Sequence, residues 1–153
     1  LFGGYVLLWG MQFLLLAYAS VILGKADEAV LTHFRQNNPV QASDLILNRP
    51  WDDGKDMWVG TLTGRRTVFW RAEEGHGRLV VKDMPLDELK AGYRDPQSPG
   101  FVAALLKSPV THVFVDEDVT DDVRAKFEHL DALRKVDEAS VGGHTAAMYT
   151  VNR

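Results

Sequence analysis

From Leu1 to Leu23 the chain carries no charged side chain, and Gln12 is its one strongly polar residue. All 17 Lys and Arg and all 21 Asp and Glu lie beyond Gly24. A helix of roughly 20 apolar residues crosses the hydrocarbon core of a bilayer. It is also the single-segment structure that satisfies its own backbone hydrogen bonds there. The pattern predicts a transmembrane helix over residues 1–24. A buried core helix would show a polar face, and this segment is apolar all round. Ala17-Tyr18-Ala19 looks like a signal-peptidase site, but no basic segment precedes it and Val21-Ile22-Leu23 continue the apolar run. The chain opens on Leu1 rather than Met, so the expectation is either a removed start or a piece of a longer polypeptide.

Small residues recur at Gly3, Gly10, Ala17 and Gly24, a seven-residue spacing that keeps them on one stripe of a helix. Ser20 precedes Gly24 by four, a small-xxx-small pair that allows close helix approach. These five residues predict packing on other transmembrane helices, the expected partners beside the lipid itself. With no ionisable group in the span, a proton relay or ion path is not expected.

The rest reads as residues 25–38, a juxtamembrane helix or linker, and residues 39–153, a soluble domain. The net charge of −4 offers no basic face to nucleic acid. The absence of cysteine excludes disulfides, thiolate metal sites and a cysteine nucleophile, and suits an extracytoplasmic domain. Helical spacing of Ala26, Ala29, Val30, His33 and Phe34 predicts a helix running on from the apolar segment to about Asn37. Strands are predicted at 44–48, 67–70 and 110–115, with a short extended piece at 78–81. Helices are predicted at 57–62, 86–93 and 101–106, and one capped by Thr120. Two last strands, 133–136 and 147–151, flank Gly142-Gly143. The fold class is α/β: one N-terminal transmembrane helix, then a small mixed, Rossmann-like sheet closed by a hairpin.

In order along the chain, NNPVQASDLIL, MWVGTLTGRRTVFW, LLKSPVTHVFVD and AAMYTV resemble the C-terminal end of GT-C-type polytopic membrane glycosyltransferases. Thr63–Arg66 (TGRR) and Val110–Asp116 (VTHVFVD) carry most of the resemblance. It implies an extracytoplasmic, periplasmic-type α/β domain after a last membrane helix, in enzymes that use lipid-phosphate sugar donors. The family's acidic catalytic residue sits on an early loop between its first membrane helices, so no active site carries over.

Several clusters suggest chemistry, and each has a plainer reading. Asp116, Glu117, Asp118, Asp121 and Asp122 are oxygen ligands at a strand end, but their spacing fits no Ca²⁺ loop and a solvated turn explains them. Trp51-Asp52-Asp53-Gly54 offers a ring and carboxylates to a sugar, yet DDG is a turn signal. Arg65 and Arg66 have the forked geometry for phosphate, but without a glycine cradle they read as surface arginines after a helix stop. His33, His76, His112, His129 and His144 form no zinc-spaced pair. Ser43, Ser98, Ser108 and Ser140 lack a nucleophile-elbow setting. No catalytic set, metal or cofactor is expected. Trp51, Trp58, Trp70, Arg65 and Arg66 are the expected interface residues, since Trp and Arg dominate binding hot spots. The sequence thus predicts a non-catalytic, membrane-anchored subunit of a larger membrane complex, with a glycosyltransferase fragment or a sugar- or headgroup-binding domain as alternatives.

Overall fold

The computed structural model describes residues 23–50, 55–69 and 84–153. Residues 1–22 of the span predicted over 1–24, with Gly3, Gly10, Ala17 and Ser20, lie outside the described residues, as do Trp51, Trp70, Asp52–Gly54 and the extended piece at 78–81. Among the described residues no helix is long and apolar enough to cross a membrane.

Helix α1 (Lys25–Asn37) leads into strand β1 (Leu45–Leu47), helix α2 (Asp56–Thr63) and a two-residue strand β2 (Arg66–Thr67). Helices α3 (Leu86–Arg94) and α4 (Phe101–Lys107) precede strand β3 (His112–Val115), and α5 (Asp121–Glu128) precedes the hairpin β4 (Leu133–Val141) and β5 (His144–Val151). The sheet order is β2-β1-β3-β5-β4. β1 runs parallel to β2 and β3, while β5 is antiparallel to both β3 and β4. This is the mixed α/β sheet, partly parallel and closed by a hairpin, that the alternation of elements implies.

Successive strand side chains point to opposite faces, and both faces are covered. Leu45, Leu47, Val113 and Val115 pack with Leu89, Tyr93, Phe101, Leu105 and Phe127 beneath α3, α4 and α5. Ile46, Phe114 and Met148 face the other way, against Val30, Leu31 and Phe34 of α1 and Val59 of α2. A sheet buried on both faces explains why β1 and β3 read as continuous apolar runs rather than alternating ones. α3 and α4 approach closely at Gly92, where a methyl group would overlap the Phe101 ring.

Several boundaries differ from the sequence reading, among them the strand expected at 67–70, which is Arg66–Thr67. Of the two readings of residues 25–38, helix or linker, the helix is present over Lys25–Asn37, with Ala26, Val30, Leu31 and Phe34 fully buried in the second core. The helix does not extend back through Gly24, which is extended at φ −66° and ψ 159°, and it begins at Lys25. The hairpin strands are longer than their apolar ends suggest, because β4 is an edge strand whose mostly polar side chains conceal its ladder. Gly142 and Gly143 both take positive φ, 63° and 86°, as a two-residue type I′ turn demands. Gly64 (φ 69°) ends α2 in the left-handed conformation, the stop its sequence position implied.

Candidate functional site

β1 connects to β2 through α2 on one face, and β2 returns to β3 through α3 and α4 on the other. The chain therefore reverses direction across the sheet between β1 and β3. In open α/β sheets the crevice outside the carboxyl ends of the strands at such a switch point is where ligands bind. Asn48 and Arg49 emerge there after β1, and Asp116, Glu117 and Asp118 after β3.

These residues form one network. Arg49 donates from Nη1 to Asp116 Oδ1 (3.1 Å) and Asp118 Oδ2 (2.8 Å). Lys55 pairs with Asp118 and lies 3.9 Å from Asp27 Oδ2. The Tyr93 hydroxyl reaches Asp116 Oδ2 and the Phe114 carbonyl, each at 2.9 Å. Asn48 bridges β1 to the end of β2, donating to the Phe69 carbonyl (2.7 Å) and accepting from the Phe69 N–H (2.9 Å).

The first turn of α1 is latched to the same edge. The Ala26 N–H donates to Glu117 Oε2 (3.0 Å), and the Glu117 N–H donates to Asp27 Oδ1 (2.8 Å). A Cβ on Gly24 would overlap the Glu117 carboxylate. The smallness of Gly24, read from sequence as a helix-packing feature, thus serves a contact inside the domain.

The electrostatics follow from burial. Asp27 is fully buried, and its Oδ2 has no hydrogen-bond partner. Desolvation pushes its carboxyl up to about 7; the Glu117 N–H opposes this, the Asp116 charge adds to it, and Lys55 draws it down. Burial works against charge on Lys55, but the bond from Asp118 and the surrounding carboxylates outweigh it and raise the ammonium. Asp118 is likewise penalised by burial yet held below the ordinary range by Lys55 and Arg49. Burial and the Asp116 charge raise the Tyr93 phenol well above its usual value, so it is a hydrogen-bond donor at any ordinary pH.

The sign of the Asp27 effect is testable. Its unfolded carboxyl titrates near 3.8 and its folded one near 7, so the folded state binds the extra proton between those values. Stability contributed here falls as pH rises from about 4 to about 7 and then levels off. A shift of that size corresponds to a penalty on the order of 4 kcal/mol for the ionised form. Asp27→Asn keeps an acceptor for the Glu117 N–H and removes the titration. Urea unfolding at pH 5 and pH 8 should give a smaller difference in the variant than in the parent chain. An undiminished difference would place the titrating group elsewhere.

The acidic run splits in two. Asp116 is 1% exposed and Glu117 is half-buried in the latch, so these two depart from the solvated turn expected from sequence, whereas Asp118 is exposed on that turn and paired with Arg49 and Lys55. Asp121 makes only a local pair with Arg124 at 2.5 Å. Asp122 is exposed and lowered chiefly by the Thr120 hydroxyl. Among the described residues no group of three or more His, Asp or Glu is placed to hold a metal ion.

Arg65 also departs from the surface reading, since it is 6% exposed. Its Nε donates to Asp44 Oδ2 (2.8 Å), Nη2 to the Asn38 and Pro39 carbonyls (2.6 and 3.3 Å), and Nη1 to the Thr63 carbonyl (3.2 Å). The guanidinium carbon stands 4.5 Å above the Phe34 ring. Arg65 is a buried clasp joining the β1, β2 and α1 ends and is unavailable to a partner. Arg66 is exposed, donates to the Ala42 carbonyl (2.9 Å), and lines a groove of ≈ 470 Å³ between α2 and β2. Trp58 is half-buried on α2. His33 pairs with Asp137 at 2.8 Å. His112 packs edge-on against Phe34, and burial lowers its pKa. The Ser108 hydroxyl donates to the Leu105 carbonyl (2.9 Å), a helix-end role.

Asp27, Asn48, Arg49, Lys55 and Tyr93 were not singled out by sequence. One local signal existed: Asn48-Arg49 and Asp116-Glu117-Asp118 each follow an apolar run directly, and polar groups at the carboxyl ends of parallel strands converge. No protein-family model, curated protein or solved structure matches the chain.

Proposed function

We propose that this chain is a membrane-anchored, non-catalytic subunit whose apolar N-terminal segment spans a bilayer beside other helices and whose α/β domain is built into a larger membrane assembly. The supporting observation is the state of the carboxyl-edge crevice. Its cations, Arg49 and Lys55, are already engaged with Asp116 and Asp118, and the Asp27–Glu117 latch joins that edge to the start of α1. Such a set of compensated charges rigidifies a surface and leaves its hydrogen-bonding capacity turned inward. The exposed Arg66 and the half-buried Trp58 remain candidates for contact with a neighbouring subunit.

The test is extraction from native membranes. The chain should stay in the pellet after an alkaline carbonate wash and elute in mild detergent as an assembly of fixed stoichiometry. Release by carbonate, or elution as a lone monomer, overturns the proposal.

A second reading has its own support. A switch-point crevice beside the point where the chain enters the domain suits the terminal domain of a GT-C-like glycosyltransferase, where it would shape access to a lipid-linked donor. Further membrane spans and an acidic first loop encoded upstream of Leu1 would establish that reading over the first.

A further inference from the structure

We propose that the carboxyl edge of the sheet is the face that the domain turns toward the lipid bilayer, an orientation that rests on the membrane-anchor reading above. Leu23 is buried at 4% exposure, Gly24 abuts Glu117, and Ala26 is hydrogen-bonded to Glu117. The chain is therefore fixed to the carboxyl edge within four residues of residue 22. On the membrane-anchor reading the uncharged apolar run ends at Leu23, where the chain meets this edge. The latched edge then sits at headgroup depth.

The hairpin supplies an independent observation. β5 pairs with β3 from Ala147, opposite Val115, to Thr150. Residues 144–146 and their β4 partners Ala139, Ser140 and Val141 continue past the end of β3 on this same edge, by about 10 Å at strand rise. This projecting tip, Ala139–Thr145, holds no Asp, Glu, Lys or Arg. It displays Val141 at 37% exposure, and nothing lies within 4 Å of a Cβ placed on Gly142 or Gly143. A turn-tipped hairpin whose one ionisable side chain is His144 can enter the interfacial layer without desolvating a carboxylate, an ammonium or a guanidinium. The charges behind it, Arg49, Lys55, Asp116 and Asp118, are paired with one another, which limits the cost of bringing them near lipid. The opposite edge has an exposed apolar side chain of its own, Val40 at 53%, but the chain does not enter the domain there.

The absence of cysteine makes the test clean. Val141→Cys on the tip and Gln41→Cys on the opposite edge, both at exposed positions, are each labelled with a small fluorophore in the full chain. Each is then reconstituted into phosphatidylcholine vesicles doped with a headgroup spin-labelled lipid. Quenching at position 141 should exceed that at 41 by about twofold or more, given a domain held at the edge of a bilayer roughly 40 Å thick. If the chain floats with carbonate-washed vesicles but quenching is equal, or greater at 41, the orientation falls and the anchor stands. If it fails to float, the anchor falls and takes the orientation with it.

Discussion

Replacing Arg65 with methionine should destabilise the domain by about 3–5 kcal/mol, the range for removing one partner of a buried ion pair. Methionine retains much of the aliphatic stem, so the loss isolates the guanidinium. The Asp44 carboxylate, 8% exposed as a side chain, would keep the Gln41 N–H at 2.9 Å but lose its counter-charge. The carbonyls of Asn38, Pro39 and Thr63 would lose their shared donor, and the buried Thr63 carbonyl left without that donor adds to the cost. The contact with the Phe34 ring, a cation–π interaction, would go as well. Arg65→Lys should rescue only in part, because an ammonium cannot serve a carboxylate and several carbonyls in one plane. The double change Arg65→Met with Asp44→Leu should recover a good part of the loss, since no charge is then stranded. Urea midpoints followed by tryptophan fluorescence, with the chain in detergent micelles, measure all four proteins. A loss for the single variant below about 1 kcal/mol, the scale of a surface pair, would refute the clasp.

Removal of the Asp116 carboxyl should be comparably severe, again about 3–5 kcal/mol for Asp116→Ala. Asp116 accepts from Arg49, from the Tyr93 hydroxyl and from the Asp118 N–H, so its loss removes one acceptor from each of three donors at the switch point. Asp122→Ala, in the same acidic run but exposed, should change stability by no more than about 0.5 kcal/mol. That contrast separates the buried half of the run from the solvated half. Tyr93→Phe tests the connection. Tyr93 is fully buried and packs edge-on near Phe127 at 6.0 Å, so phenylalanine fills its space without its donor. A double-mutant cycle with Asp116→Ala should show a coupling between about 0.5 and 3 kcal/mol. Strict additivity would mean that the hydroxyl draws no stability from the Asp116 carboxylate.

Both predictions concern residues whose importance local sequence understated. TGRR stops a helix in one dimension, and Gly64 does end α2. Nothing nearby along the chain says that the next residue turns inward to meet Asp44, twenty-one positions earlier. Asp116 looks like the first member of a solvated acidic run. Its burial is imposed by Tyr93 and Arg49, which arrive from other elements. Asp27 is the sharpest case. By sequence it is an acidic first-turn residue of the kind the helix dipole favours. In the fold it is a fully buried carboxyl whose second oxygen has no hydrogen-bond partner.

What the sequence determined by itself was everything carried by short-range periodicity and by glycine. The runs predicted as strands at 44–48 and 110–115 contain the observed strands β1 and β3, 3.6-residue patterns became helices α3 to α5, and Gly64 and Gly142-Gly143 became the stop and the turn. These features depend on backbone sterics and local burial, which neighbouring residues settle among themselves. The tertiary structure alone decided the order β2-β1-β3-β5-β4, the placement of α1 inside the core, and the meeting of Asp27, Arg49, Lys55, Tyr93 and Asp116 at one edge. Those depend on which distant surfaces bury each other and on the desolvation of charges that meet only after the chain has closed.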